Sequence, residues 1–125
     1  MLQLGLTHTS VLIVEEQHTA AVIGSGDMQV LATPIMLALM ENAAMLAVDQ
    51  DISAEQATVG GYIKSTHLKP SPVGAEITAT AELVEMDGHK LTFHVVAMQG
   101  DIVIGEGEHI RYIVDRDRFL SKLSK

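Results

Sequence analysis

The chain has 125 residues, 47% of them apolar and 19% charged, with a formal net charge of −8. That length predicts a single domain over 1–125 with its own core, and the apolar fraction is too high for a disordered chain. There is no cysteine, which excludes disulfides, thiolate nucleophiles, zinc fingers and iron–sulfur sites. Residues 1–63 hold seven acids and no Lys or Arg, whereas residues 64–125 hold all eight basic residues against nine acids. Nucleic acid is therefore not expected as a partner, because phosphate contacts need a basic face. An anionic small ligand must find its cations in the second half.

The segment from Met1 to Leu6 lacks the positive flank and long apolar stretch of a signal peptide. Residues 10–14, rich in β-branched side chains, predict a strand. Thr19–Ile23 predicts a second short one, ending at the turn Gly24–Asp27. Thr33 and Pro34 then open a segment of Ala, Leu, Met and Ile. It predicts a helix from about 34 to 49, with Thr33 as N-cap and Pro34 at the first helical position. Its near-apolar run from Ile35 to Val48 has 14 residues, interrupted by Glu41 and Asn42. That is short of a membrane span and reads as a buried core helix, apolar nearly all round, in a soluble cytoplasmic protein.

Residues 57–68, 75–86, 89–99 and 102–114 read as four strands. Lys69–Gly74 separates the first two, and Asp87-Gly88 and Gly100-Asp101 are hairpin signals, so neighbours are antiparallel. Asp115–Leu120 predicts a short terminal helix. A curled antiparallel β-sheet wrapped around one long central apolar helix is an α+β arrangement, the hotdog fold. The glycine-bearing last strand, Ile102 to Ile113, is expected to pair with a second copy across a dimer axis.

Glu41 is the only ionisable group between Pro34 and Val48. A carboxylate in an apolar interior costs several kcal/mol unless it is paired or neutralised. Either Glu41 has a role, or the helix face that carries it meets solvent. Asn42 beside it is expected to cap a buried backbone group. Thr33, eight residues earlier, lies on the same side of the helix but about 12 Å along it, too far for a direct bond. It serves either as an N-cap alone or as a ligand contact. His67 closes a strand, on alternation sharing a face with Val59, Ile63 and Lys69, and suits acid–base work near neutral pH. The alternative is a purely structural role, the commoner case for a lone strand histidine. The other five histidines have no metal-ligand spacing, and no metal is expected. Gly60-Gly61 in mid-strand marks a bulge or a close backbone approach. Arg111, Lys64, Lys69, Lys90 and the tail cations Arg116, Arg118, Lys122 and Lys125 are the available anion contacts.

The stretch Gly24–Ala44, with Gly60, Ser65-Thr66-His67 and Gly105-Glu106-Gly107-Glu108-His109-Ile110-Arg111, resembles the fluoroacetyl-CoA thioesterase-like branch of the hotdog superfamily. The resemblance implies that Thr33, Glu41 and His67 match the family's catalytic threonine, glutamate and histidine, and that Gly60 and Arg111 match its substrate-contacting glycine and arginine. It also implies homodimers, or tetramers built from them, with each active site at a subunit interface where Glu41 of one chain meets a pocket completed by the other. In the fluoroacetate-specific member a longer phenylalanine-bearing lid precedes the threonine. Here only Gly24–Val30 stands there, with no aromatic. The expectation is therefore hydrolysis of a small acyl-CoA thioester, with coenzyme A as part of the substrate and no other cofactor. An enoyl-CoA hydratase or dehydratase on the same fold and a non-catalytic acyl-CoA binding protein are the alternatives. Glu41 would attack the thioester or activate water, His67 would be its acid–base partner and Thr33 would position Glu41 or the substrate. The N–H groups of Ile35 and Met36, or of Gly60, would hold the oxyanion. Arg111 is the leading candidate to anchor the coenzyme A phosphates.

Overall fold

A long helix lies across the inner face of a curled five-stranded antiparallel sheet. The computed structural model describes residues 1–124. In chain order they form β1 (Thr7–Ile13), a short helix α1 (Ala20–Ile23), the long helix α2 (Thr33–Val48), β2 (Gln56–Ser65), β3 (Glu76–Asp87), β4 (Lys90–Gln99), β5 (Ile102–Asp115) and a terminal helix α3 (Arg116–Ser121). The strand order is β1-β3-β4-β5-β2, with every neighbouring pair antiparallel. Among the described residues no helix is long and apolar enough to cross a membrane.

Small side chains bring helix and sheet together. Alternation on β3 and β4 aims Ile77, Ala79, Ala81 and Leu83, then Leu91, Phe93, Val95 and Ala97, at the helix, and all eight are fully buried. The helix answers with Met36, Met40, Ala43, Ala44, Ala47 and Val48, spaced by three and four residues along one face. Alanine on both surfaces allows close approach, and the two methionines fill the remaining irregular space, each worth about 2 kcal/mol in apolar burial. The β3–β4 and β4–β5 hairpins place Gly88 and Gly100 first in their two-residue loops, each at φ +62°.

Four expectations are corrected here. Thr19–Ile23 is not a strand: Thr19 makes only an isolated bridge to Leu31, and Ala20–Ile23 closes a helical turn. Gly24 at φ +93° ends that turn and returns its N–H to the Ala20 carbonyl, so no extended edge remains for β-branched Val22 and Ile23 to pair with. The long helix is not buried all round. Ala38, Met45 and Leu46 are exposed on the side away from the sheet, because one sheet covers only one face. Asn42 is exposed as well, at the flank of the helix beside β1, and among the described residues its side chain caps no backbone group. Its Oδ1 accepts the Ser10 hydroxyl of β1 at 2.6 Å. Finally, β5 is no edge: it pairs with β4 and with β2, and the free edges are β1 and β2.

Strand β2 carries a bulge. The ladder to β5 runs Gly60↔Arg111 and then Tyr62↔Ile110, leaving Gly61 as the extra residue. The bulge moves the inner face of β2 from Thr58 and Gly60 to Ile63 and Ser65, so Val59 and Ile63 do not share a face. Past the end of β2 the ladder continues through Thr66 N–H to the Glu106 carbonyl and Leu68 N–H to the Ile104 carbonyl.

Glycine is required where β5 passes under β2. A Cβ on Gly107 would meet the Lys64 carbonyl and the Ser65 Cα, both backbone atoms. Gly74, by contrast, has open space around it but sits at φ +94°. Gly107→Ala is expected to lose about 3 kcal/mol by forcing two strands apart, and Gly74→Ala about 1 kcal/mol from left-handed backbone strain alone. Urea unfolding of the two variants checks this, the expected result being the larger loss for Gly107→Ala.

Candidate active site

The inner face of the sheet changes character from β4 to β5. Opposite Leu91 and Phe93 of β4 stand Arg111 and His109 of β5, and these in turn stand opposite Gly60 and Ile63 of β2. His109 is 0% exposed and Arg111 7%. The Arg111 guanidinium is held on its side by Thr58, whose Oγ1 accepts from Nε and whose carbonyl accepts from Nη2, both at 2.8 Å. Nη1 lies 3.2 Å from His109 Nε2, and His109 Nδ1 lies 2.7 Å from the Tyr62 carbonyl. Burial lowers the Arg111 pKa from its ordinary value, partly opposed by the charge of Glu41.

Glu41 projects from the middle of the long helix into this polar region. A Cβ placed on Gly60 would lie 2.9 Å from Glu41 Oε2, 3.2 Å from His109 Cε1 and 3.5 Å from Arg111 Nη1. The missing side chain of Gly60 thus leaves a gap one atom wide, walled by a carboxylate, an imidazole and a guanidinium. Glu41 forms no ion pair within 4.0 Å among the described residues. A half-buried carboxylate facing a buried cation without being bonded to it keeps its lone pairs for another group.

A second cluster lies at the start of the same helix. Ala32 is the N-cap and Thr33 the first helical residue, so the expected Thr33 cap is corrected. Its hydroxyl instead meets His67 Nδ1 at 2.7 Å. The Ala32 carbonyl takes both the Ile35 and the Met36 N–H, which removes these two as oxyanion donors. Thr33 N–H is left as the free donor of the first turn, since Pro34 has none. Burial lowers the His67 pKa from the usual histidine value, so the ring is neutral at pH 7. Its Nε2 is shielded from solvent with no partner among the described residues.

Thr33 and His67 open onto a cleft of about 260 Å³, walled on one side by Ala20, Ser25 and Val30 and on the other by Leu68 and Lys69. Among the described residues no Phe, Tyr or Trp lines the cleft. Lys69 reaches it beside His67, as strand alternation suggests, while Lys64 does not.

The structure therefore brings together Thr33 with His67, and separately Glu41 with Gly60 and Arg111. It does not place Arg111 where a nucleotide phosphate would reach it: the guanidinium is buried and spends three N–H groups on Thr58 and His109. Among the tail cations, Arg116 bonds the Ala54 carbonyl, and Arg118 and Lys122 border a shallow groove with Phe119, not the cleft. Lys125 lies outside the described residues. Sequence reasoning missed His109. The signal was the alternation His109-x-Arg111-x-Ile113, which puts an imidazole in phase with the buried side of the last strand. No cluster with metal-ligand character occurs among the described residues.

The sequence model of the fluoroacetyl-CoA-specific thioesterase (FlK) family matches residues 14–117. A fluoroacetyl-CoA thioesterase of Streptantibioticus cattleyicolor is 34% identical over 95 residues, covering 76% of this chain and 68% of that protein. The solved structure of fluoroacetyl-CoA thioesterase FlK superposes with a TM-score of 0.92 at 28% identity, covering 99% of this chain and 96% of that one. A variant of it in complex with acetyl-CoA gives 0.93 at 27% identity, with 98% and 97% covered. A thioesterase superfamily member from Thermus thermophilus shares the fold, with a TM-score of 0.90 at 19% identity and 98% and 90% covered. Sheet order, central helix and these matches agree: the chain belongs to the fluoroacetyl-CoA-specific thioesterase family, as a hotdog-fold acyl-CoA thioester hydrolase.

Proposed function

We propose that the protein hydrolyses a small acyl-CoA thioester, without selectivity for a fluorinated acyl group, in a homodimer whose active sites are shared between subunits. The observation that carries the reading is the uncommitted Glu41 carboxylate, held in a polar gap of an otherwise apolar interface. Hydrolysis adds the oxygen of water to the acyl carbon and breaks the C–S bond, giving the acid and the coenzyme A thiol. Glu41 either removes a proton from the attacking water or attacks first, forming an anhydride that water then opens. Neutral His67 is the acid–base partner: it takes up the proton lost by the attacking water, directly or through Glu41, and as imidazolium passes it to the thiolate, returning to the neutral ring. Thr33 positions that ring through its hydroxyl, and its N–H is a donor for the carbonyl oxygen as negative charge develops there. Coenzyme A enters as part of the substrate, and the reading needs no other cofactor. With Arg111 buried, Lys69 at the cleft is the cation best placed for the nucleotide phosphates.

The acyl preference follows from the cleft wall. Ala20, Ser25 and Val30 are small, and no aromatic side chain stands over Thr33 to sort a fluoromethyl from a methyl group. The dimer follows from what one chain leaves uncovered. The helix face with Ala38, Met45 and Leu46 is apolar and exposed, and β2 is a free edge carrying half-exposed Tyr62. Within one chain the Thr33–His67 pair and the Glu41 gap are separate. A two-fold axis beside β2 brings Glu41 of one subunit to the Thr33–His67 cleft of the other, and covers both surfaces.

Glu41→Gln keeps the shape of the side chain and removes its charge. It is expected to leave the circular dichroism spectrum unchanged and to lower kcat by at least about 100-fold in a thiol-release assay across acetyl-, propionyl- and branched acyl-CoAs. Wild-type turnover in a folded Glu41→Gln protein would contradict the assignment.

The shared site has its own test. Neither Glu41→Gln nor His67→Ala alone is expected to turn over substrate. When the two are refolded together in equal amounts, mixed dimers carry one intact site and activity returns to about a quarter of wild type. Sites contained within single chains would recover none.

His67 sets the pH response. Burial disfavours the imidazolium, so its pKa lies below the usual value of about 6.5. Activity is expected to hold as pH falls to 6.5 and to drop only below it. A kcat/KM profile with an acidic midpoint above 6.5 would show that His67 is charged in the working range.

A further inference from the structure

We propose that His109 is a positioning residue for the hydrolysis: it holds the Arg111 guanidinium in the orientation that faces Glu41 across Gly60. The inference rests on the assignment of Glu41 to thioester hydrolysis and adds a residue that touches neither the acyl group nor the thiol.

The hydrogen-bond geometry fixes the state of the ring. Nδ1 lies 2.7 Å from the Tyr62 carbonyl, which only accepts, so Nδ1 carries the proton. Nε2 lies 3.2 Å from Arg111 Nη1, which only donates, so Nε2 is bare and accepts. Both contacts are satisfied by one neutral tautomer and by no other form of the ring. An imidazolium here would set an N–H against an N–H and a cation against a cation. Desolvation is the main cause that lowers the pKa, and Arg111 adds to it. The Tyr62 carbonyl and Glu41 act in the opposite sense. The titratable and charged groups that face the ring are Arg111 from β5 and Glu41 from the long helix. From β4 it meets only the ring of Phe93, with centroids 6.3 Å apart.

The consequence falls on Arg111. Of its five N–H groups, two are taken by Thr58 and one by His109. One remains on each terminal nitrogen. Thr58 alone grips one side of the guanidinium, and His109 supplies the third point that stops it tilting about that side. Without it the plane is free to turn toward Glu41 and close an ion pair. That would tie up the carboxylate and fill the gap over Gly60. An apolar residue at 109 would pack well against Phe93, so the core has no need of a polar group here. An imidazole 0% exposed, in a region otherwise built of Leu91, Phe93 and Ile63, is explained by the guanidinium it braces.

The test uses two substitutions and one measurement on the unsubstituted protein. His109→Gln keeps one donor and one acceptor, whereas His109→Leu keeps only the volume. In the full-length protein, His109→Leu is expected to lose kcat on the order of 10- to 100-fold with KM nearly unchanged, and His109→Gln to recover most of it. Imidazole ¹⁵N NMR of the unsubstituted protein is expected to show His109 as the Nδ1-protonated neutral tautomer at pH 7 and still at pH 6. A folded His109→Leu protein with normal kcat would overturn the proposal. So would equal losses in both variants, or an Nε2-protonated or cationic ring. If the leucine variant does not fold, the glutamine variant and the NMR signature decide the matter. If the unsubstituted protein releases thiol from no acyl-CoA, the hydrolysis reading fails by itself. The NMR tautomer still reports whether His109 accepts from Arg111.

Discussion

A carboxylate in the middle of an apolar helix can be packed against a sheet only where the sheet offers it both charge and room. That requirement organises the inner face of this protein. Over β3 and β4 the face is Ile, Leu, Val, Phe and Ala, and the helix answers it with Met, Ala and Val. One strand further on, the same face turns to His109 and Arg111, and one strand beyond that to a glycine without a side chain. Glu41 projects toward this boundary. Arg111 compensates its charge at a distance, and Gly60 removes the Cβ that would occupy the space between them. A direct ion pair would stabilise the carboxylate more simply, but it would also quench it as a base or nucleophile. Holding the cation on Thr58 and His109 keeps the two charges near and apart.

The Thr33–His67 pair is positioned by the start of the same helix. Because Ala32 takes the cap position, Thr33 is freed from capping, and its hydroxyl reaches the histidine that follows β2. One rigid helix thus carries both Thr33 and Glu41, about 12 Å apart along its axis. This spacing separates two half-sites within a chain and suits a two-fold arrangement in which each helix serves both clefts.

Family membership and cleft composition bear on different questions. The matches over residues 14–117 and the shared fold speak to thioester hydrolysis. On the proposed reading the acyl group is met by the cleft, which the small side chains of Ala20, Ser25 and Val30 help to wall. Here the candidate site residues sit on or beside the long helix and the sheet, whereas Gly24–Val30 is a surface loop, where changes in length disturb the core least.

The amino-acid sequence by itself determined the pattern of long elements. The aliphatic run after Pro34 is a helix because its residues are helix formers opened by a proline at the first turn. The four later strands follow from alternation, with Gly88 and Gly100 at their hairpins. Glu41 stood out because nothing ionisable accompanies it, and Gly60-Gly61 because glycines weaken a strand unless something lies close. Other features depended on partners distant in sequence. Whether Thr19–Ile23 is strand or helix turned on whether an edge was free to pair with it. The order of the sheet, and with it the burial of β5, turned on β2 returning to the far side of β5. The partner of the Thr33 hydroxyl is His67, 34 residues away in sequence and adjacent only in folded space. Arg111 looked like a phosphate anchor from the charge map and the family resemblance together, and only the packing of Thr58, His109 and Glu41 around it made it an interior cation. Local propensity and periodicity are properties of neighbouring residues and can be read along the chain. Edge, interior and hydrogen-bond partner are properties of the closed sheet and exist only once it has formed.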